Sequence, residues 1–124
     1  MANKYALVMM SNSDYPEGRG RMVHVLQAAL DLVEAGHEVK IHFHGAGVNW
    51  LTAFHERGDK FTQNYGPKFD AVKEHIAGTC QFCTEVRFDA AAGAKALGVP
   101  VVGGECNHAS LADIVADGSQ ILTF

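Results

Sequence analysis

The chain has 124 residues, a length that suits one domain spanning 1–124. Hydrophobic residues make up 48% and charged residues 19%, and the formal net charge is -4. That composition fills a core but offers no basic stripe, so nucleic acid is excluded as an expected partner. No apolar stretch approaches the ~20 residues that cross a bilayer, so no membrane insertion is expected. The start, Met1-Ala2-Asn3-Lys4-Tyr5, lacks a charged region followed by a long apolar run. With no secretory signal and an odd count of three cysteines, the expected location is cytoplasmic, with reduced thiols.

In chain order, Tyr5 to Met10 is a continuous apolar run, which suits a central strand covered on both faces. A polar loop, Ser11 to Gly20, follows. Met22, Val23, Leu26, Ala29, Leu30 and Val33 then recur at helical spacing. The second strand alternates: Val39, Ile41 and Phe43 face one way, Lys40, His42 and His44 the other. One side of that strand is therefore wet or lies in a subunit contact. Val48 to Glu56 reads as a short helix, in which Trp50, Leu51 and Phe54 are core or contact surface. Gly58 to Gly66 reads as a loop, and Pro67 as the first turn of a helix from Lys68 to about Lys73. A short third strand is expected at His75–Thr79. Gln81 to Leu97 is helical with a break near Asp89. Ser110-Leu111-Ala112-Asp113 resembles a capping box that starts the last helix, and Gln120 to Phe124 is a final strand.

One local pattern recurs. Leu32–Gly36, Ala94–Gly98 and Ile114–Gly118 each read as a helix ended by glycine, and each is followed by a short apolar strand. Short helix-to-strand loops of this kind belong to a mostly parallel sheet, so the fold class is α/β. In such a sheet, ligands bind outside the carboxyl ends of the strands. The loops at that edge are Ser11–Gly20, His44–Val48, Cys80–Cys83 and Gly103–Ser110. They hold all three cysteines, with His44 and His108.

Cys80-Gln81-Phe82-Cys83 is a C-x-x-C at a strand-to-helix turn, where the backbone dipole favours a thiolate. Cys80 is the first candidate for a reacting residue, with Cys83 beside it; the bland alternative is two buried packing cysteines. Glu105-Cys106-Asn107-His108 adds a sulfur and an imidazole. Cys80, Cys83, Cys106 and His108 are thus a ligand set that could hold zinc, although no cofactor is required by the rest of the sequence. His44, Ser11 and Asn12, with Cys106 and His108, are candidate substrate-binding residues at the same edge. Gly18-Arg19-Gly20-Arg21 could hold an anion, but a flexible loop with solvated arginines is the plainer reading. It fails the dinucleotide fingerprint because Val23 stands where a third glycine belongs. No G-x-S-x-G hydrolase elbow is present.

Taken together, these segments resemble the DsrE family (DsrE/DsrF-like) of small sulfur-relay proteins, which share the YchN-like fold. The resemblance rests on Tyr5–Met10, Glu34-Ala35-Gly36-His37, Val39–Val48, Ala77–Cys83 and the close Ser110–Phe124, in that order and spacing. It implies a three-layer α/β/α sandwich around a mostly parallel five-stranded sheet. It implies assembly into homo-oligomers, trimers or hexamers, or with a sulfur-relay partner protein. It also implies that a cysteine after the third strand carries a persulfide, and the matching position is Cys80. Cys83 is a further thiol that such proteins need not have. Three readings stand open: persulfide sulfur transfer by Cys80 with Cys83, a non-catalytic zinc-binding or regulatory module, and a thiol–disulfide oxidoreductase.

Overall fold

The computed structural model describes residues 2–104 and 107–124. Glu105 and Cys106, and with them part of the proposed zinc set, lie outside the described residues. The strands are β1 (Lys4–Met9), β2 (Glu38–Phe43), β3 (Ile76–Cys80), β4 (Val101–Val102) and β5 (Gln120–Thr123). The helices are α1 (Pro16–Glu34), α2 (Asn49–Glu56), α3 (Lys60–Val72), α4 (Ala91–Leu97) and α5 (Leu111–Ala116). A 3₁₀ turn spans Gly45–Val48, another spans Lys73–His75, and a π-helical turn spans Phe82–Arg87.

All pairings are parallel, in the order β4-β3-β2-β1-β5. The path from β1 to β4 steps in one direction, so right-handed crossovers put α1 to α4 on one face of the sheet. The step from β4 to β5 runs back across the sheet and puts α5 on the other face. The sandwich is therefore lopsided. Four helices bury Leu7, Met9, Ile41 and Phe43 against Met22, Leu26, Trp50 and Phe69. Among the described residues, one six-residue helix serves the opposite face. Trp50, Leu51 and Phe54 are all core rather than contact surface. No helix among the described residues is long and apolar enough to cross a membrane.

Gly36, Gly98 and Gly118 adopt φ of +89°, +72° and +86°, left-handed values that lack of a Cβ permits, so the recurring helix-glycine-strand reading holds. Ser110 caps α5 by accepting the Asp113 N–H at 3.4 Å. The expected break near Asp89 is present, between the π-helical turn and α4. The third strand exists but runs one residue later than expected, so Cys80 is its last residue rather than the first of a loop.

Two expectations are corrected. The loop after β1 ends at Tyr15, not Gly20. Pro16 takes the first helical position after an extended Tyr15, and Gly18 fits because its Cα faces the Asn12 carbonyl at a distance that excludes any side chain. The loop expected at Gly58–Gly66 is largely helix, and Pro67 lies inside α3 rather than at its first turn. Asp59 starts that helix by accepting the Thr62 N–H at 2.8 Å. Phe61, Tyr65, Phe69 and Val72 then pack along one side, with Phe69 stacked on Phe54 at 4.3 Å. That burial outweighs the hydrogen bond Pro67 cannot donate to Gln63.

Candidate functional site

β3 carries the site to the carboxyl edge of the sheet. Its register sets Thr79 opposite Phe43 and Cys80 opposite Val102. Thr79 is buried, and its hydroxyl pairs with the Thr84 hydroxyl at 2.8 Å. This joins the end of β3 to the π-helical turn and folds the chain back so that Cys83 meets Cys80. The wider π turn accommodates the bend; Phe88 N–H closes it on the Cys83 carbonyl at 2.9 Å.

Both cysteines are free thiols and both are buried, Cys80 at 3% and Cys83 at 8% exposure. Their surroundings differ. Burial opposes ionisation of Cys80, but its sulfur accepts the backbone N–H groups of Ala109, Cys83 and Phe82 and the Cys83 thiol. These donors together hold its pKa below the ordinary cysteine value. Cys83 is pushed the other way. Burial is the main cause, and its hydrogen bond to Cys80 and the Cys80 charge add to it. The Gly45 N–H and Arg87 only partly offset them. Of the pair, Cys80 is thus the one whose thiolate is favoured and Cys83 the one whose proton is held more firmly.

The second loop comes from β4. Phe82 N–H donates to the Asn107 carbonyl at 2.7 Å and Gly104 N–H to the His108 carbonyl at 2.8 Å. The His108 ring lies 4.6 Å from the Phe82 ring, so it packs on the residue between the cysteines. The third contribution is the His44–Val48 turn, whose Gly45 amide reaches Cys83. Gly47 in that turn has no room for a Cβ, which would overlap the Met9 carbonyl.

His44 belongs to a neighbouring cleft. On the sparsely covered face, a hollow of about 300 Å³ opens between the sheet and α5. Lys40 and His42 line it from β2, His44 from just past its end, and Asp113, Ile114 and Asp117 from α5 and its end. The polar side of β2 therefore faces this cleft. Lys40 Nζ binds Asp117 Oδ2 at 3.0 Å, and the rings of His42 and His44 meet edge-on at 6.2 Å. Burial, then the neighbouring His44 and Lys40 charges, lower His42 to about 4, against the weaker pull of Asp117. Burial also lowers His44. Both imidazoles are neutral at neutral pH.

Ser11 and Asn12 are spent on holding their own loop. The Ser11 carbonyl accepts Trp50 Nε1–H at 2.9 Å and its hydroxyl accepts from Arg21. Asn12 Oδ1 accepts from Asn49 Nδ2 at 3.3 Å. Neither lines the cleft. The two arginines of the glycine-rich stretch are paired, Arg19 with Asp59 and Arg21 with Glu17. Among the described residues no group of three His, Cys, Asp or Glu side chains is placed to hold a metal.

Nothing in the sequence signals the Ala109 and Gly45 amides, since backbone donors leave no mark in residue type. It did carry a signal for the α5 side of the cleft. Ser110, Asp113 and Asp117 repeat at i, i+3 and i+7, one polar helical face.

A model of the DsrE/DsrF-like family matches residues 4–124. No curated protein matches the chain. Among solved structures, a conserved protein of unknown function from Bacteroides thetaiotaomicron is similar, with a TM-score of 0.64 and 21% identity over 98% of this chain and 95% of that one. At that identity the likeness speaks for the fold, and the family match spans nearly the whole sequence. The chain belongs to the DsrE/DsrF-like family.

Proposed function

We propose that the protein is a sulfur carrier in which Cys80 holds a sulfane sulfur as a persulfide. The observation that supports this most is the pairing of two free thiols at the carboxyl end of β3, where backbone amides gathered on Cys80 favour its thiolate. The Cys80 thiolate attacks the terminal sulfur of a donor persulfide, R–S–SH. A bond forms between the Cys80 sulfur and that sulfur, the donor's S–S bond breaks, and RS⁻ leaves. Transfer to an acceptor thiolate repeats the exchange and restores Cys80. With no acceptor, Cys83 can lose its proton and attack the Cys80 sulfur, which forms a Cys80–Cys83 disulfide and expels HS⁻. The disulfide must then be reduced by an external dithiol. A cytoplasmic setting, where thiols stay reduced, suits this cycle.

Cyanide reads the reaction out, because it strips a sulfane sulfur as thiocyanate. After treatment with a sulfane donor and desalting, wild-type protein is expected to release about one thiocyanate per chain. Cys80→Ala is expected to release none, and Cys83→Ala to hold its sulfur longer than wild type. Equal release from Cys80→Ala and wild type would remove the proposal.

A further inference from the structure

The cleft under α5 touches the thiol site at one point. Ala109 lines the cleft and also donates its N–H to the Cys80 sulfur. Val102, in register with Cys80, lines the cleft as well. Alternation along β3 and β4 then sets Cys80 on the cleft's face of the sheet, just beyond its end. Along β2 and the extended residue after it, the polar residues Lys40, His42 and His44 run toward that same end over four residues. At a rise of roughly 3.3 Å per residue, that is a track of roughly 13 Å.

Resting on Cys80 as the sulfur carrier, we propose that this cleft binds the sulfur donor itself, a low-molecular-weight persulfide with a charged amino-acid body, and presents its terminal sulfur to Cys80. Three features select that class. The volume, about 300 Å³, is that of a small-molecule site. The far end pairs Lys40 with Asp117, with Asp113 on the same helix, so a carboxylate and an ammonium both find partners there. Between the ends, Ala77, Gly78 and Ile114 offer apolar contact, while the two uncharged imidazoles can bond peptide groups without imposing charge. Gly78 keeps the floor open, since a Cβ there would meet Val102 Cγ2 at 2.5 Å. Cys80 is only 3% exposed, and the Ala109 segment closes it in. A slender donor lying along β2 comes to Ala109, the residue that the cleft and the thiol share.

In the transfer, the Cys80 thiolate bonds to the outer sulfur of R–S–S–H and the inner sulfur departs as R–S⁻. The proton stays on the transferred sulfur, so charge and atoms balance. No oxidant is consumed.

The test compares two donors, glutathione persulfide, which has such a body, and inorganic polysulfide, which has none. Rates of sulfur loading at Cys80 are followed by intact mass in wild type, Lys40→Met and Val102→Trp. The rate ratio, glutathione persulfide over polysulfide, is expected to fall about tenfold in each variant. A second measurement avoids chemistry: calorimetry of S-methylglutathione on Cys80→Ala protein, expected to show binding that Lys40→Met weakens by a similar factor. An unchanged ratio in both variants, or no binding of S-methylglutathione, overturns the cleft assignment while polysulfide loading leaves the carrier reading intact. Failure of both donors to load wild type overturns the carrier reading and this inference with it.

Discussion

The Cys83 thiol donates to the Cys80 sulfur, and this bond widens a separation of the two pKa values that burial of Cys83 and the backbone amides at Cys80 already set: Cys80 down, Cys83 up. The ultraviolet absorbance of thiolate is therefore expected to show a titration below the ordinary 9.0 that disappears in Cys80→Ala. In Cys83→Ala the Cys80 midpoint should rise, since one of its donors is gone. A midpoint that stays put in Cys83→Ala would mean that the pair does not share the hydrogen bond.

Thr79 and Thr84 hold the turn that brings the thiols together. Thr79→Val keeps the shape but leaves the Thr84 hydroxyl buried without its partner, which costs about 1–3 kcal/mol. Chemical denaturation should report that loss. The Cys80 thiolate titration should also broaden or shift upward as the turn loosens. A variant as stable as wild type would show that the hydroxyl pair is not needed.

His42 makes the cleft acid-sensitive. Its folded pKa is about 4 against an ordinary 6.5. Between those values the unfolded chain binds the extra proton, so stability rises with pH through this window and falls as pH drops from 6.5 toward 4. Below 4 the contribution is gone. Because the ring is part-exposed, solvent screening reduces it to about 1–2 kcal/mol. Folded His42 faces Lys40, His44 and Asp117, and Asp117 also titrates low through its hydrogen bond to Lys40. The informative quantity is thus the difference between wild type and His42→Gln across the window. A constant difference would place His42 in solvent.

Asp59→Ala is expected to cost about 1 kcal/mol by removing the cap of α3, read as a lower midpoint of thermal unfolding. Little change would mean that the aromatic row from Phe61 to Phe69 starts the helix without it.

Much of the fold could be read from residue type. Glycine at 36, 98 and 118 marks helix ends because each must adopt positive φ, and apolar runs after them mark strands. The start of α3 could not. Gly66 and Pro67 are helix breakers in isolation, and only the tertiary burial of Tyr65 and Phe69 overrides them. The thiols were visible as a motif, but their inequality was not. It comes from the burial of Cys83, from the Ala109 amide that a loop distant in sequence brings to Cys80, and from the turn that Thr79 and Thr84 close. Lys40 and His42 were legible as a polar face of β2; that the face lines a cleft depends on α5 crossing back alone over the sheet.

The proposed function turns on the sulfur atom of Cys80. Wild-type protein exposed briefly to a sulfane donor, desalted, alkylated and weighed intact, then mapped by peptide, should carry one additional sulfur on Cys80 in most chains. Additional sulfur located on Cys83 with Cys80 unmodified, or no sulfur gained at all, would contradict it.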